Sequence, residues 1–226
     1  MISKRRALIP PKALVRALFV FCLFALPSVA VGQPTPAGLI KTFNADLLEA
    51  MKKADELGYS GRYRLLGPAI KDAFALSFMA GQSTGRYWKT FGKDERETLI
   101  KSYTDWTIAS YAGRFDGYSG EKFEIISESK PLLGTVTVVS KLVKPNREEV
   151  TFHYLFRKID GSWRVVDIQI SGVSQLALTR AQFTGVIKAK GVKGLIEMLD
   201  EKIKAFERRG KTGQQTIFFP TSRRFS

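Results

Sequence analysis

Residues Asp160 to Ser174 read Asp-Gly-Ser-Trp-Arg-Val-Val-Asp-Ile-Gln-Ile-Ser-Gly-Val-Ser, and a helix-like run, Gly191 and a second helix-like run to Lys202 follow. Asp160-Gly161 is a tight-hairpin signal, because both types accept the positive φ angles such a turn needs. Trp163, Val165 and Asp167 alternate with Arg164, Val166 and Ile168, which predicts a two-faced strand. Thr179 followed by Gln182 reads as a capping box opening the next helix. Phe183, Val186 and Ile187 give that helix an apolar stripe, and Gly191 suits its left-handed C-terminal cap. Leu195, Ile196 and Leu199 face inward on the last helix, with Lys202 and Lys204 toward its negative end.

Upstream the period is helical. Ile40, Phe43, Leu47, Met51 and Ala54 mark a first helix from Leu39, broken at Gly58–Gly61. A second helix is expected to start near Gly67-Pro68, since Pro suits a first turn, with Ile70, Phe74 and Phe78 buried and Gly81–Gly85 as its stop. Asp94 opens a long helix ending by Gly117. Its apolar arc is wide, running through Leu99, Ile100, Tyr103, Trp106, Ile108, Tyr111 and Phe115, so it packs on two sides or lines a cavity. Ala109 is the small residue beside that arc. From Lys122 the period becomes two. Phe123–Glu128, Thr135–Val143 and Arg147–Ile159 are expected strands, the third with Val150, Phe152, Tyr154 and Phe156 on one side, and Pro145-Asn146 is a turn. Helices, a meander and two closing helices make an α+β domain.

The N-terminus reads as a cleaved signal peptide over residues 1–30. Lys4, Arg5, Arg6, Lys12 and Arg16 precede an apolar run, Ala17 to Leu26, and a small-residue cleavage site, Ser28-Val29-Ala30. That run is far short of the ~20 residues that span a bilayer. Cys22, the single cysteine, lies inside it without the small neighbour of a lipid-attachment site. The mature chain is expected to begin near Val31, with residues 31–38 as linker, 39–207 as the domain and 208–226 as a basic disordered tail. Losing the signal removes five basic residues and no acidic one, leaving 31 Lys and Arg against 21 Asp and Glu. That excess suits anionic lipid headgroups or plain solubility. Nucleic acid is not an expected partner, because no stripe of Arg with stacking aromatics stands out.

Enzymatic chemistry has few parts to work with. His153 is the sole histidine, so neither a Ser-His-Asp site nor a His-rich metal site is expected from the usual parts. The mature chain has no cysteine for thiolate chemistry, and Gly113, Gly117 and Gly120 lack the Lys and helix start of a phosphate loop. The alternative kept open is a cone-fold enzyme on a small apolar substrate, with His153 and Asp167 as acid and base. An adaptor with a filled core is a third reading. The positive signal is aromatic: 16 Phe, 7 Tyr and 3 Trp.

Trp163, Asp167, Gly172, Ser174, Arg180, Gln182, Phe183, Gly191, Leu195 and Lys202 stand in an order and spacing that resembles the MlaC-type periplasmic lipid carriers, also called the toluene-tolerance family. Gly85-Arg86-Tyr87-Trp88 and the Tyr103–Phe115 helix are similar to that family's middle region, and the likeness covers Leu39 to Phe206. Tyr111 to Gly120 resembles a branch associated with hopanoid biosynthesis. The resemblance implies helices on a curled antiparallel sheet, similar to the NTF2-like cone, around a lipid pocket. It implies phospholipid or hopanoid as cargo, an inner-membrane ABC-type transporter and an outer-membrane lipoprotein-porin complex as partners, and neither metal nor cofactor. The pocket candidates are Phe74, Phe78, Leu99, Tyr103, Trp106, Tyr111, Val136, Val138, Phe152, Tyr154, Trp163, Phe183, Ile187 and Leu195, since acyl chains gain about 0.8 kcal/mol per buried CH₂.

Overall fold

The computed structural model describes residues 34–212. The expected signal peptide, Cys22 and the stretch from Gln214 to Ser226 lie outside them. Thr35 caps the first helix, α1 (Pro36–Lys52): its Oγ1 accepts the Gly38 N–H at 3.1 Å, and Pro36 supplies a preset first turn. Residues 36–38, expected as linker, are therefore helical. Ile40, Phe43, Leu47 and Met51 are buried along it, as their spacing requires.

The next helix departs from the expectation. α2 (Ala54–Ala73) kinks at Gly58, which takes φ 56°, and then runs on through Gly61, Gly67 and Pro68. Pro68 does not start a helix. It is exposed, and so is Arg64, whose carbonyl loses its helical donor to the proline, so water can satisfy it. The real break is at Phe74-Ala75, where nothing in the sequence signals one. There the Ala75 N–H donates to the Val165 carbonyl at 2.9 Å, and the chain touches the sheet before turning into α3 (Leu76–Thr84). Gly81 is inside α3, where its missing side chain leaves room for the Trp88 ring; Gly85, at φ 58°, ends it. A 3₁₀ helix (Gly85–Thr90) leads to α4 (Lys93–Arg114), whose Glu95 carboxylate accepts the Gly92 N–H at 2.8 Å.

The sheet is a five-stranded antiparallel meander: β1 (Lys122–Glu128), β2 (Thr135–Val143), β3 (Glu149–Ile159), β4 (Ser162–Ile170) and β5 (Val173–Ser174). Asp160 and Gly161 both take positive φ, and Ile159 pairs with Ser162 across them. The alternation in β4 is not the simple one expected. A bulge leaves Val166 without a partner: Val165 lies opposite Phe156, but Asp167 lies opposite Leu155 and Ile168 opposite Tyr154. The extra residue shifts the phase, so Val165 and Ile168 both join the core while Asp167 and Gln169 go to the other face.

α5 (Gln175–Thr212) bends at Gly191, φ 67°, into two arms. Thr179 and Gln182 do not open it. Thr179 is inside the helix and donates to the Gln175 carbonyl at 2.7 Å. Ser174 is the capping residue, its Oγ accepting the Ala177 N–H at 3.0 Å. The helix also runs past residue 207 to Thr212, so residues 208–212 belong to it and not to a tail. The whole is α+β, with helices packed on one curled sheet, and one core joins Phe43, Leu47, Leu66, Ile70, Leu99, Val138, Tyr154, Phe156, Phe183 and Leu195. No helix among the described residues is long and apolar enough to cross a membrane.

Candidate functional site

Between α4, the end of β4 and the first arm of α5 lies a cavity of about 270 Å³. It exists because α4 presents one stripe to it at helical spacing: Tyr103, Thr107, Ser110, Tyr111 and Arg114, with Trp106 and Phe115 at the margins. Ile168 and Ile170, set inward by the β4 bulge, form the sheet side. Phe74 and Met79 close one end, and Gln175, Leu176, Leu178, Thr179 and Gln182 of α5 close the front. Lys202, from the second arm of α5, completes the lining.

The rings around it are locked edge to face and in stacks. Tyr111 stacks on Phe115 at 5.6 Å and meets Phe43 and Phe74 edge-on at 5.5 and 6.0 Å. Tyr103 and Trp106 stand 5.6 Å apart, and Phe183 backs both, at 6.2 and 5.7 Å. Such pairs contribute about 0.5–1.5 kcal/mol each beyond their burial. Burial pushes the Tyr103 and Tyr111 hydroxyls well above the usual tyrosine range, so both stay neutral. Burial also lowers the pKa of the Arg114 guanidinium, with nearby Tyr111 acting in the opposite sense. No group of three His, Cys, Asp or Glu among the described residues could hold a metal ion.

Over residues 41–201 the chain matches the family described as MlaC protein. The chain belongs to the MlaC family. It is 23% identical over 193 residues to the intermembrane phospholipid transport system binding protein MlaC of Haemophilus influenzae, covering 81% of this chain and 89% of that protein. Its fold is similar to that of a phospholipid-binding protein from Ralstonia solanacearum solved in complex with a phospholipid, with a TM-score of 0.65 and 23% identity over 74% of this chain and 96% of that one.

Within this chain the structure separates the candidate residues into layers. Phe74, Tyr103, Trp106 and Tyr111 line the cavity. Phe183 stands directly behind them. Leu99, Val136, Val138, Phe152, Tyr154, Ile187 and Leu195 are buried in the core beyond the lining. Phe78 and Trp163 sit half-buried at its rim, Trp163 under the Lys158 ammonium at 5.4 Å. The polar lining, Thr107, Ser110, Arg114, Gln175, Thr179, Gln182 and Lys202, was not legible as such. Its one sequence signal was the polar residues interrupting the apolar arc of α4 at helical spacing. Ala109 is not on the cavity side: it is fully buried in a second cluster with Tyr59 and Ala112.

The acid–base pair of the enzyme reading does not face the cavity. His153 lies opposite Gln169 on β3, facing away from Phe152 and Tyr154. Both Asp167 oxygens are engaged: Oδ2 accepts from the Ser174 hydroxyl at 2.6 Å and Oδ1 from the Leu176 N–H at 3.0 Å. Asp167 holds the start of α5 in place.

Proposed function

We propose that this protein is a periplasmic lipid carrier. It takes an amphipathic lipid from one membrane complex, shields its tails between α4, β4 and α5, and delivers it to another. The observation that carries this reading is the cavity itself, an aromatic-walled space without a metal-binding cluster or catalytic pair, in a fold shared with a protein solved around a phospholipid. The Haemophilus relative's name points to phospholipid as cargo and to an intermembrane transport system. We assign an ABC-type transporter at the inner membrane and a lipoprotein-porin complex at the outer one as donor and acceptor. A hopanoid is the second cargo, favoured by the wording of Tyr111 to Gly120.

The cavity, about 270 Å³, falls just below the ~300–1,000 Å³ usual for ligand pockets. A two-tailed lipid therefore needs the walls to part, and we place the hinge at Gly191, where α5 bends between its two arms. The test is lipid extraction and native mass spectrometry after detergent-free purification from the native host. A lipid mass adduct is expected. Protein that is folded and lipid-free from its own host would overturn the reading.

A further inference from the structure

The apolar side chains most open to water lie away from the cavity. Among the described residues, Leu133 is 92% exposed and Leu132 73%, above every other large hydrophobic side chain. The two are neighbours at the tip of the β1–β2 hairpin. Leu132 and Thr135 exchange both backbone hydrogen bonds, each at 2.9 Å, so Leu133-Gly134 is a two-residue turn. Its φ angles, 49° and 73°, are both positive, as a type I′ turn requires. Asn, Asp or Gly suits its first position, whereas leucine there crowds its own Cβ against the backbone. The chain thus keeps a large apolar side chain in a strained turn and gains no core packing from it. Neither turn chemistry nor the core accounts for that choice.

The neighbours at this end of the sheet are cations. The register runs Leu132, Thr135, Arg157, Arg164 across successive strands, and partners across strands share a face. Strands stand about 4.8 Å apart, so Arg157 springs from within about 10 Å of Leu132. On the other face Lys158 lies opposite Trp163, its ammonium 5.4 Å from the ring centroid. Lys130 precedes the tip. Lys130, Arg157 and Lys158 are exposed and Arg164 is half-buried, and none of the four joins an ion pair among the described residues. The two turns and their roots carry two carboxylates. Glu128 accepts the Ala37 N–H at 3.0 Å, and Asp160 is exposed in the β3–β4 turn. The balance at this end is positive.

An apolar knob on a convex tip, with cations on both faces behind it and an indole among them, complements the boundary of an anionic bilayer. An apolar groove on a protein would take the leucines but gives the cations no counter-charge. We propose that this end of the sheet docks on an anionic lipid bilayer. Leu132 and Leu133 enter the boundary between headgroups and acyl chains, and Lys130, Arg157, Lys158 and Arg164 lie against lipid phosphates. The docking goes beyond the carrier reading and does not depend on what fills the cavity.

The experiment mixes the mature protein with sucrose-loaded vesicles and reads the fraction that sediments. One set is phosphatidylcholine; the other is equal parts phosphatidylcholine and phosphatidylglycerol. Wild type should partition onto the anionic set about tenfold better or more, and added salt should shrink the difference. Leu133→Asn separates docking from folding, because asparagine suits the turn. Its Tm should hold or rise while partitioning falls about tenfold. Arg157→Gln should lower partitioning about fivefold, and Lys122→Gln, the same charge change at the far end of β1, should leave it unaltered. Equal losses in these two variants would assign the attraction to net charge and overturn the docking site. A Leu133→Asn protein that sediments like wild type overturns it as well. Wild type that carries lipid but sediments with neither vesicle gives the tip to a protein partner, overturning the docking and leaving the carrier reading in place. Protein that comes lipid-free from its host yet docks through the tip overturns the carrier reading alone.

Discussion

α4 has two sides that differ in kind. On one, Tyr103, Thr107, Ser110, Tyr111 and Arg114 face a cavity. On the other, Ala109, Ala112 and Gly113 are sealed against Tyr59 and the second arm of α5. The sealed side has no slack. A methyl group on Gly113 would sit 2.5 Å from the Phe206 ring, and one on Gly210 2.5 Å from Tyr59. Arg62, buried there, donates to the Ala112 carbonyl at 2.9 Å and the Ala54 carbonyl at 2.8 Å, tying α4 to the start of α2. The open side carries large rings and chemistry; the sealed side carries small residues and close contact. One helix thus anchors the fold with one face and lines a cavity with the other. A wide apolar arc in the sequence reports the sum of both and cannot say which residue serves which.

The largest test of that division is Phe183→Ala. Phe183 is fully buried behind Tyr103 and Trp106, and its loss should cost about 3–5 kcal/mol in lipid-free protein by chemical denaturation. A loss below 1 kcal/mol would show the open side already loose behind its first layer. Next comes a pair of neighbours. Ala109→Leu puts new bulk into the sealed side and should cost about 1–3 kcal/mol, with bound lipid per folded molecule unchanged. Ser110→Leu puts the same bulk into the cavity. It should cost less than about 1.5 kcal/mol and lower bound lipid. Should the two variants behave alike, the distinction between the sides fails.

Ser174→Ala removes the cap that, with Asp167, fixes where α5 begins and so where the cavity's front wall stands. About 1 kcal/mol should be lost, seen as a Tm lower by about 2–4 °C. His153→Ala is the smallest effect. The side chain belongs to neither side of α4, and both stability and lipid content should stay within about 0.5 kcal/mol and measurement error of wild type. A variant that folds, loads lipid and still fails in the cell would revive the enzyme reading.

What the sequence made legible was whatever depends on neighbours a few residues apart. The β2 strand, the Asp160-Gly161 turn and α4 follow from period and turn chemistry, and the structure has them within a residue or two. The rest needed partners distant in the chain. Phe74-Ala75 breaks a helix because β5 is only two residues long and leaves the Val165 carbonyl for the Ala75 N–H. Pro68 is tolerated because its neighbourhood is wet. Val166 is an ordinary strand residue until Phe156 pairs with Val165 and Leu155 with Asp167, leaving it unpaired between them. Of the pocket candidates, the four on the lining and the buried ones behind it carry the same hydrophobic signal. Arg114 and Lys202 lie 88 positions apart and declare themselves only when α4 and α5 meet.

β1 forms the outer edge of the sheet and is exposed along most of its length. A bare edge invites a strand from a second molecule. Here Ile126 bulges out of register, so continuous pairing is limited to Lys122–Ile125, a run carrying charges of both signs. At the opposite edge β5 is short, and the open stretch of β4 beyond it is occupied by Phe74-Ala75. Neither border presents the five or six residues of an ordinary strand. The same irregularities that defeat a reading by simple alternation should keep concentrated copies of this protein from joining into fibrous sheets.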